Sequence, residues 1–179
     1  MSVPTLVDEY TFNLIYEALE KIPDQLTVVE LGSFLGGSAI RIVNKLLELK
    51  AEFDFHAIDN WECDNISHES REWSGVKDNF YDKFMENILG YPIRPIKMDT
   101  LQAHVAFKDN EIDLLFVDDG HQYPHTRDIL KAWLPKVKTG GYIVGHDYST
   151  NGVDMAVREV LGENVEFCET RSAYRYKKC

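Results

Sequence analysis

The chain has 179 residues, a length that fits one domain and is short for two. Its 30 acidic against 19 basic residues leave a formal net charge of −11, a field that opposes non-specific binding to nucleic acid or to an anionic membrane surface. Hydrophobic residues make up 44% of it, so it can bury a core without disulfide or metal support.

Cys63, Cys168 and Cys179 are odd in number and share no CxxC spacing, which suggests reduced thiols and a cytoplasmic setting. "MSVPTLVDEY" has neither a basic n-region nor an apolar h-region, so no signal peptide is expected. No apolar run is long enough to span a bilayer.

Apolar residues at helical spacing (Leu6, Tyr10, Leu14, Ile15, Leu19, Ile22) predict a helix within residues 1–24, closed by Pro23. "LTVVEL" reads as a strand running into the glycine-rich turn "GSFLGGS", and "SAIRIVNKLLELK" as a helix. "FDFHAI" is a second strand, ending at Asp59. Residues 60–77 are polar, carry Trp61 and Trp73 and show no period, which predicts a loop or lid. "DNFYDKFMENILG" is a helix whose Phe80, Tyr81 and Phe84 read as core rather than pocket. "IRPIKM" is a third strand, weakened by Pro95, and "DTLQAHVAF" a short helix. "IDLLFVD" lacks alternation, which fits a strand buried on both faces. "HTRDILKAWLPKV" is a helix with Gly140 and Gly141 beyond it, "YIVGHD" a fifth strand and "GVDMAVREVLG" a helix. "NVEFCE" and "SAYRYKK" close the chain as two strands with no helix between them, so they should pair antiparallel.

This order predicts a single α/β domain over residues 1–179, doubly wound and Rossmann-like. Its sheet is seven-stranded and mostly parallel with an antiparallel last strand, and helices cover both faces. Ligands of such sheets bind outside the carboxyl ends of the strands. Those ends carry Glu30 to Gly37, Asp59, Asp99, Asp118 with Asp119, and His146 with Asp147.

Glycines between a strand and a helix let the backbone approach a ligand, and the helix behind them presents free N–H groups. A P-loop needs Gly-Lys-Ser/Thr, and Gly37, Ser38 and Ala39 do not supply it. A dinucleotide loop wants glycine two residues after Gly32, where Phe34 stands. S-adenosylmethionine has no phosphate and benefits from a nearby acid, which Glu30 supplies. Asp59 follows Gly32 by 27 residues, placed to accept hydrogen bonds from both hydroxyls of a ribose.

With "VVELGSFLGGSAI", "HAIDNWECD", "KMDT" and "FVDDGHQYPHTRDILKAWLPKVKTGGYIVGHDY" in place, the chain resembles the class I S-adenosylmethionine-dependent methyltransferases. It is most similar to their small-molecule O-methyltransferase branch, with its IDGxHxY and PGGxxxGxDY strand ends. The resemblance covers the chain from about Leu26 onward. It departs from the family's D-x-W-x-G-D at Cys63. The resemblance implies that Glu30, Gly32, Ser33, Gly36, Gly37 and Ser38 contact the methionine part of the cofactor. It places Asp59 at the ribose with Asn60 and Trp61 beside it, Asp99 and Thr100 at the adenine, and Asp118 at the sulfonium side.

Methyl transfer to a hydroxyl needs an aligned nucleophile and removal of its proton. Asp118 and His121 are the candidate catalytic residues, with His121 as general base. The other device is a divalent cation, Mg²⁺ or Mn²⁺, on Asp118, His146 and Asp147. Related sugar and catechol-type enzymes place acids at these two strand ends, in many of them a pair at the second. His146 departs from that pair and shifts the donor set toward softer metals. Asp119 competes with Asp118 for the functional position.

The expected activity is methylation of a small-molecule acceptor, through a hydroxyl, with residues 60–90 as lid and acceptor region. Its alternatives are an NAD(P)-dependent oxidoreductase and a non-catalytic S-adenosylmethionine-binding protein. No nucleic-acid or membrane partner is expected. The short chain is compatible with a homo-oligomer in which a second subunit closes the pocket.

Overall fold

The computed structural model describes residues 3, 5–22, 25–62, 68–150 and 152–179, without the side chains of 68, 69 and 73. Cys63 and the Trp73 side chain lie outside the described residues. Seven strands form one sheet: β1 (Leu26–Leu31), β2 (Phe53–Asp59), β3 (Ile93–Lys97), β4 (Ile112–Val117), β5 (Val137–Gly145), β6 (Val165–Phe167) and β7 (Tyr174–Lys177). Their spatial order is β3-β2-β1-β4-β5-β7-β6. The five on the β3 side run parallel, and β7 is antiparallel to both β5 and β6.

Strand β4 is buried at all six positions, as its unbroken apolar run predicts. Leu114 and Phe116 enter the core shared with α1 (Glu9–Leu19) and α2 (Gly37–Glu48). Leu115 and Val117 enter the opposite core, shared with α5 (Tyr123–Trp133) and α6 (Val153–Leu161). Pro95 is accommodated because β3 is an edge strand paired only with β2, where its missing N–H breaks no second ladder.

Three expectations change. Residues 60–77, expected as loop, contain a helix, α3 (His68–Ser74). It is two turns long and carries no apolar stripe, so it left no helical period to read. The helix expected through Val137 ends at Trp133. Pro135 cannot continue it, Leu134–Lys136 form a 3-10 turn, and β5 already starts at Val137. The segment "DTLQAHVAF" keeps only a 3-10 turn at Ala103–Ala106. Helix α4 (Phe80–Asn87) does bury Phe80 and Phe84 completely.

Candidate functional site

The carboxyl ends of β1, β2, β4 and β5 converge because the parallel register continues just past the strands. Gly32 donates its N–H to Ile58, Asp118 to Leu31 and His146 to Val117, at 2.9, 2.9 and 3.0 Å. Each strand therefore delivers the residue that follows it to one rim.

Gly32 has φ +84°, and a Cβ there would collide with the Asp118 carbonyl oxygen. Gly36, at φ +85°, caps α2, and a Cβ there would press on Ile88 and Phe84. These two positions need glycine both for the left-handed backbone and for the close approach. Gly37 and Ser38 open α2, whose first N–H groups face the rim end of the sheet.

Glu30 is fully buried, and neither of its carboxylate oxygens has a hydrogen-bond partner among the described residues. The buried Ser33 hydroxyl is likewise unpartnered. Burial pushes the Glu30 carboxyl up to about 7. The nearby Ser38 and Ser33 hydroxyls oppose that rise without reaching hydrogen-bond geometry, and the Asp118 and Asp59 charges add to it. A buried acid without a partner costs stability unless a ligand supplies a cation or donor.

Asp59 ends β2. Its Oδ2 accepts the Phe34 N–H at 2.9 Å and its Oδ1 the Trp61 N–H at 2.8 Å. Burial raises its pKa and these N–H groups pull it back. Each oxygen keeps a second lone pair for a ligand. Trp61 is 4% exposed, donates Nε1–H to the Phe34 carbonyl at 2.7 Å and packs on Tyr81 and Phe84. Its indole thus pins the glycine loop to α4 from inside the core. Asn60 accepts the Glu62 N–H in an Asx turn.

Beyond β4 the two aspartates diverge. Asp118 Oδ1 lies 3.3 Å from His146 Nδ1, and Asp147 Oδ2 lies 3.1 Å from the same nitrogen. The other ring nitrogen, Nε2, lies 3.5 Å from Asp8 Oδ2. Burial pushes the His146 imidazole down, but the flanking carboxylates outweigh it and raise it to about 10. His121 Nδ1 is 3.3 Å from Asp147 Oδ2, with its side chain half exposed. Asp119 turns away to Thr100 and His125. Asp118 is therefore the acid grouped with Asp147, His146 and His121, while Asp119 is grouped with Thr100 and His125.

Among the described residues, Asp118, His121 and Asp147 offer metal-ligand atoms that all lie within 4.8 Å of one another. His146, the histidine of the expected metal set, has its Nδ1 3.3 and 3.1 Å from the same two carboxylates. Asp8 and His125 were not singled out from sequence. Asp8 is recognisable as the α1 N-cap, its Oδ1 accepting the Thr11 N–H at 2.8 Å, but its contact with His146 spans 138 residues (146 − 8) and has no local signal. His125 lies in the first turn of α5, which Pro124 marks.

Comparisons with known proteins agree with this geometry. A family model described as a methyltransferase domain matches residues 29–148. The chain is 33% identical over 148 residues to the uncharacterized protein R132 of Acanthamoeba polyphaga mimivirus. That match takes in 77% of this chain and 61% of R132, so the chain spans less than two thirds of this relative's length. Among solved structures, the O-methyltransferase NovP superposes with a TM-score of 0.73 at 18% identity, over 97% of this chain and 81% of NovP. SMU.1697c from Streptococcus mutans, in complex with SAH, gives 0.63 at 12% identity over 97% and 100% of the two chains. The precorrin 8w decarboxylase of Methanobacterium thermoautotrophicum gives 0.59 at 17%, over 99% and 94%. At these identities the structures show a shared fold. Among the described residues no helix is long and apolar enough to cross a membrane. The matched family model, the strand order and the glycine loop together show that this chain belongs to the methyltransferase domain family, with the fold of a class I S-adenosylmethionine-dependent methyltransferase.

Proposed function

We propose that the chain transfers the methyl group of S-adenosylmethionine to a hydroxyl of a small-molecule acceptor. The observation that carries this reading is a juxtaposition around Asp118. On one side lies the unpartnered buried carboxylate of Glu30; on the other lies the half-exposed His121–Asp147 pair.

The residues fit the cofactor. Glu30 supplies the counter-charge for an ammonium group, and Gly32 leaves the close approach that a side chain would fill. Gly36, Gly37 and Ser38 aim the α2 N–H groups at a carboxylate, with Ser33 adding a free hydroxyl. Asp59 keeps one lone pair on each oxygen for ribose hydroxyls, with Asn60 and the Trp61 backbone shaping that turn. Asp99 and Thr100 bound the adenine end. When bound, S-adenosylmethionine supplies the electrophilic methyl and the leaving group.

Asp147 Oδ2, 3.3 Å from His121 Nδ1, favours the tautomer with its proton on that nitrogen, which leaves Nε2 to accept the proton of the incoming hydroxyl. His146 sits between Asp118 and Asp147, its Nδ1 3.3 and 3.1 Å from their carboxylate oxygens, and separates the two acids. NovP, an O-methyltransferase of the same fold, supports the choice of a hydroxyl acceptor.

A divalent cation is a second reading, favoured by the convergence of Asp118, His121 and Asp147. Such an ion would lower the pKa of the acceptor hydroxyl. An acceptor screen that follows release of S-adenosylhomocysteine, run with and without chelator, tests both. Turnover that survives chelation supports His121 as base, and turnover restored only by Mg²⁺ or Mn²⁺ supports the metal. No turnover with any hydroxylated acceptor, under either condition, counts against both.

A further inference from the structure

The β4–α5 corner holds a second histidine–aspartate pair, which the proposed chemistry does not use. Asp119 Oδ2 accepts the Thr100 hydroxyl and lies 3.1 Å from His125 Nε2. Thr100 is fixed from behind as well. It is 6% exposed, and its carbonyl accepts the Nε1–H of the fully buried Trp133 at 2.9 Å. The turn after β3, Asp99–Thr100, is therefore tied both to Asp119 and to the far end of α5.

His125 closes the other side of this corner. Its ring lies against Gly120, where a Cβ would collide with it, and the next residue, Thr126, donates its hydroxyl to the Gly120 carbonyl at 2.7 Å. Only Nε2 is engaged. Nδ1 has no partner among the described residues, and the side chain is 36% exposed. Its neighbours place it at the pocket. A Cβ on Gly32 would meet the Asp119 side chain, the Asp119 charge reaches Asp59, and the Asp99 charge reaches His125. Asp119 thus stands between the glycine loop and the β3 turn, with His125 beside it.

We propose that His125 is a cofactor-binding residue, held by Asp119 beside the Asp99–Thr100 turn, where its free Nδ1 and ring face recognise the adenine base. This rests on the reading of the carboxyl-end pocket as an S-adenosylmethionine site. Adenine offers hydrogen-bonding edges and two π faces, and an imidazole pinned through one nitrogen presents one hydrogen-bonding atom and one stacking surface. Asp119 is the positioning residue: it orients the ring and fixes which nitrogen points outward.

Calorimetry with two probes tests the assignment. S-adenosylhomocysteine carries the base, and S-ribosylhomocysteine is the same molecule without it. His125→Ala should weaken S-adenosylhomocysteine about 10-fold and leave S-ribosylhomocysteine unchanged. Asp119→Asn should act in the same direction, and the double variant should be no weaker than His125→Ala alone. An equal loss for both probes would mean that His125 only braces the fold, and an unchanged affinity for S-adenosylhomocysteine would overturn the proposal outright. If the unaltered protein binds neither probe, the cofactor-site reading itself fails and takes this assignment with it.

Discussion

His121 Nδ1 lies 3.3 Å from Asp147 Oδ2, so a histidine at the end of one strand segment is oriented by the carboxylate at the end of the next. The pair forms because β4 and β5 are parallel neighbours in register from Leu114↔Tyr142 to Val117↔Gly145. His121→Ala should lower kcat roughly 10²- to 10⁴-fold, the usual contribution of a positioned base. Its affinity for S-adenosylhomocysteine should stay as it was. Equal losses in kcat and in cofactor affinity would place His121 in the cofactor pocket instead.

Glu30 yields a prediction in pH. Its carboxyl sits at about 7 when folded, against an ordinary value of 4.5. Between these values the unfolded chain holds fewer protons than the folded one, so stability falls as pH rises from 4.5 through 7 and stays lower above it. The loss is about 3 kcal/mol across that window. Glu30→Gln should therefore raise Tm at pH 8 and change it little at pH 4. The same variant should weaken S-adenosylhomocysteine by about 10-fold or more, because the ammonium loses its counter-charge. A variant that is no more stable at pH 8, or that binds as tightly as before, would contradict the role given to Glu30.

His146 is enclosed by Asp118, Asp147 and Asp8, from three separate elements. Removing it leaves three carboxylates facing one another. His146→Ala should cost about 3 kcal/mol, measured by denaturant unfolding at pH 7. Adding Asp8→Ala to that variant should recover part of the loss, since one of the opposed charges is gone. A His146→Ala variant as stable as the parent would show that the imidazole does not offset repulsion among the three acids.

Asp59 holds the glycine loop through the Phe34 N–H and, in the proposed function, also holds the ribose. Asp59→Ala should weaken S-adenosylhomocysteine roughly 100-fold, through lost ribose hydrogen bonds and a loosened Phe34. Asp59→Asn keeps one acceptor oxygen and should lose less. Unchanged affinity in Asp59→Ala would remove the ribose assignment.

The sheet was readable before any coordinates because its signals are local. Glu30, Asp59, Asp118 and His146 each follow an apolar run, and a parallel sheet brings such endings to one rim. What each side chain does at the rim was not local. Asp118 and Asp119 are adjacent in sequence, yet one joins His146 and the other joins Thr100 and His125. Asp8 reaches His146 because α1, packed on one face of the sheet, begins at the rim where β5 ends. Trp61 stands in a polar stretch that reads as loop or lid, but its indole N–H finds the Phe34 carbonyl and its ring finds Phe84. Long-range pairing of this kind leaves no spacing in the chain.

The most direct test of the whole account is a calorimetric titration of S-adenosylhomocysteine into the protein near neutral pH, with NAD as the control. The arrangement of Glu30, Gly32 and Asp59 predicts a single site of micromolar affinity for S-adenosylhomocysteine and none for NAD. No heat of binding from S-adenosylhomocysteine, or equal binding of NAD, would contradict it.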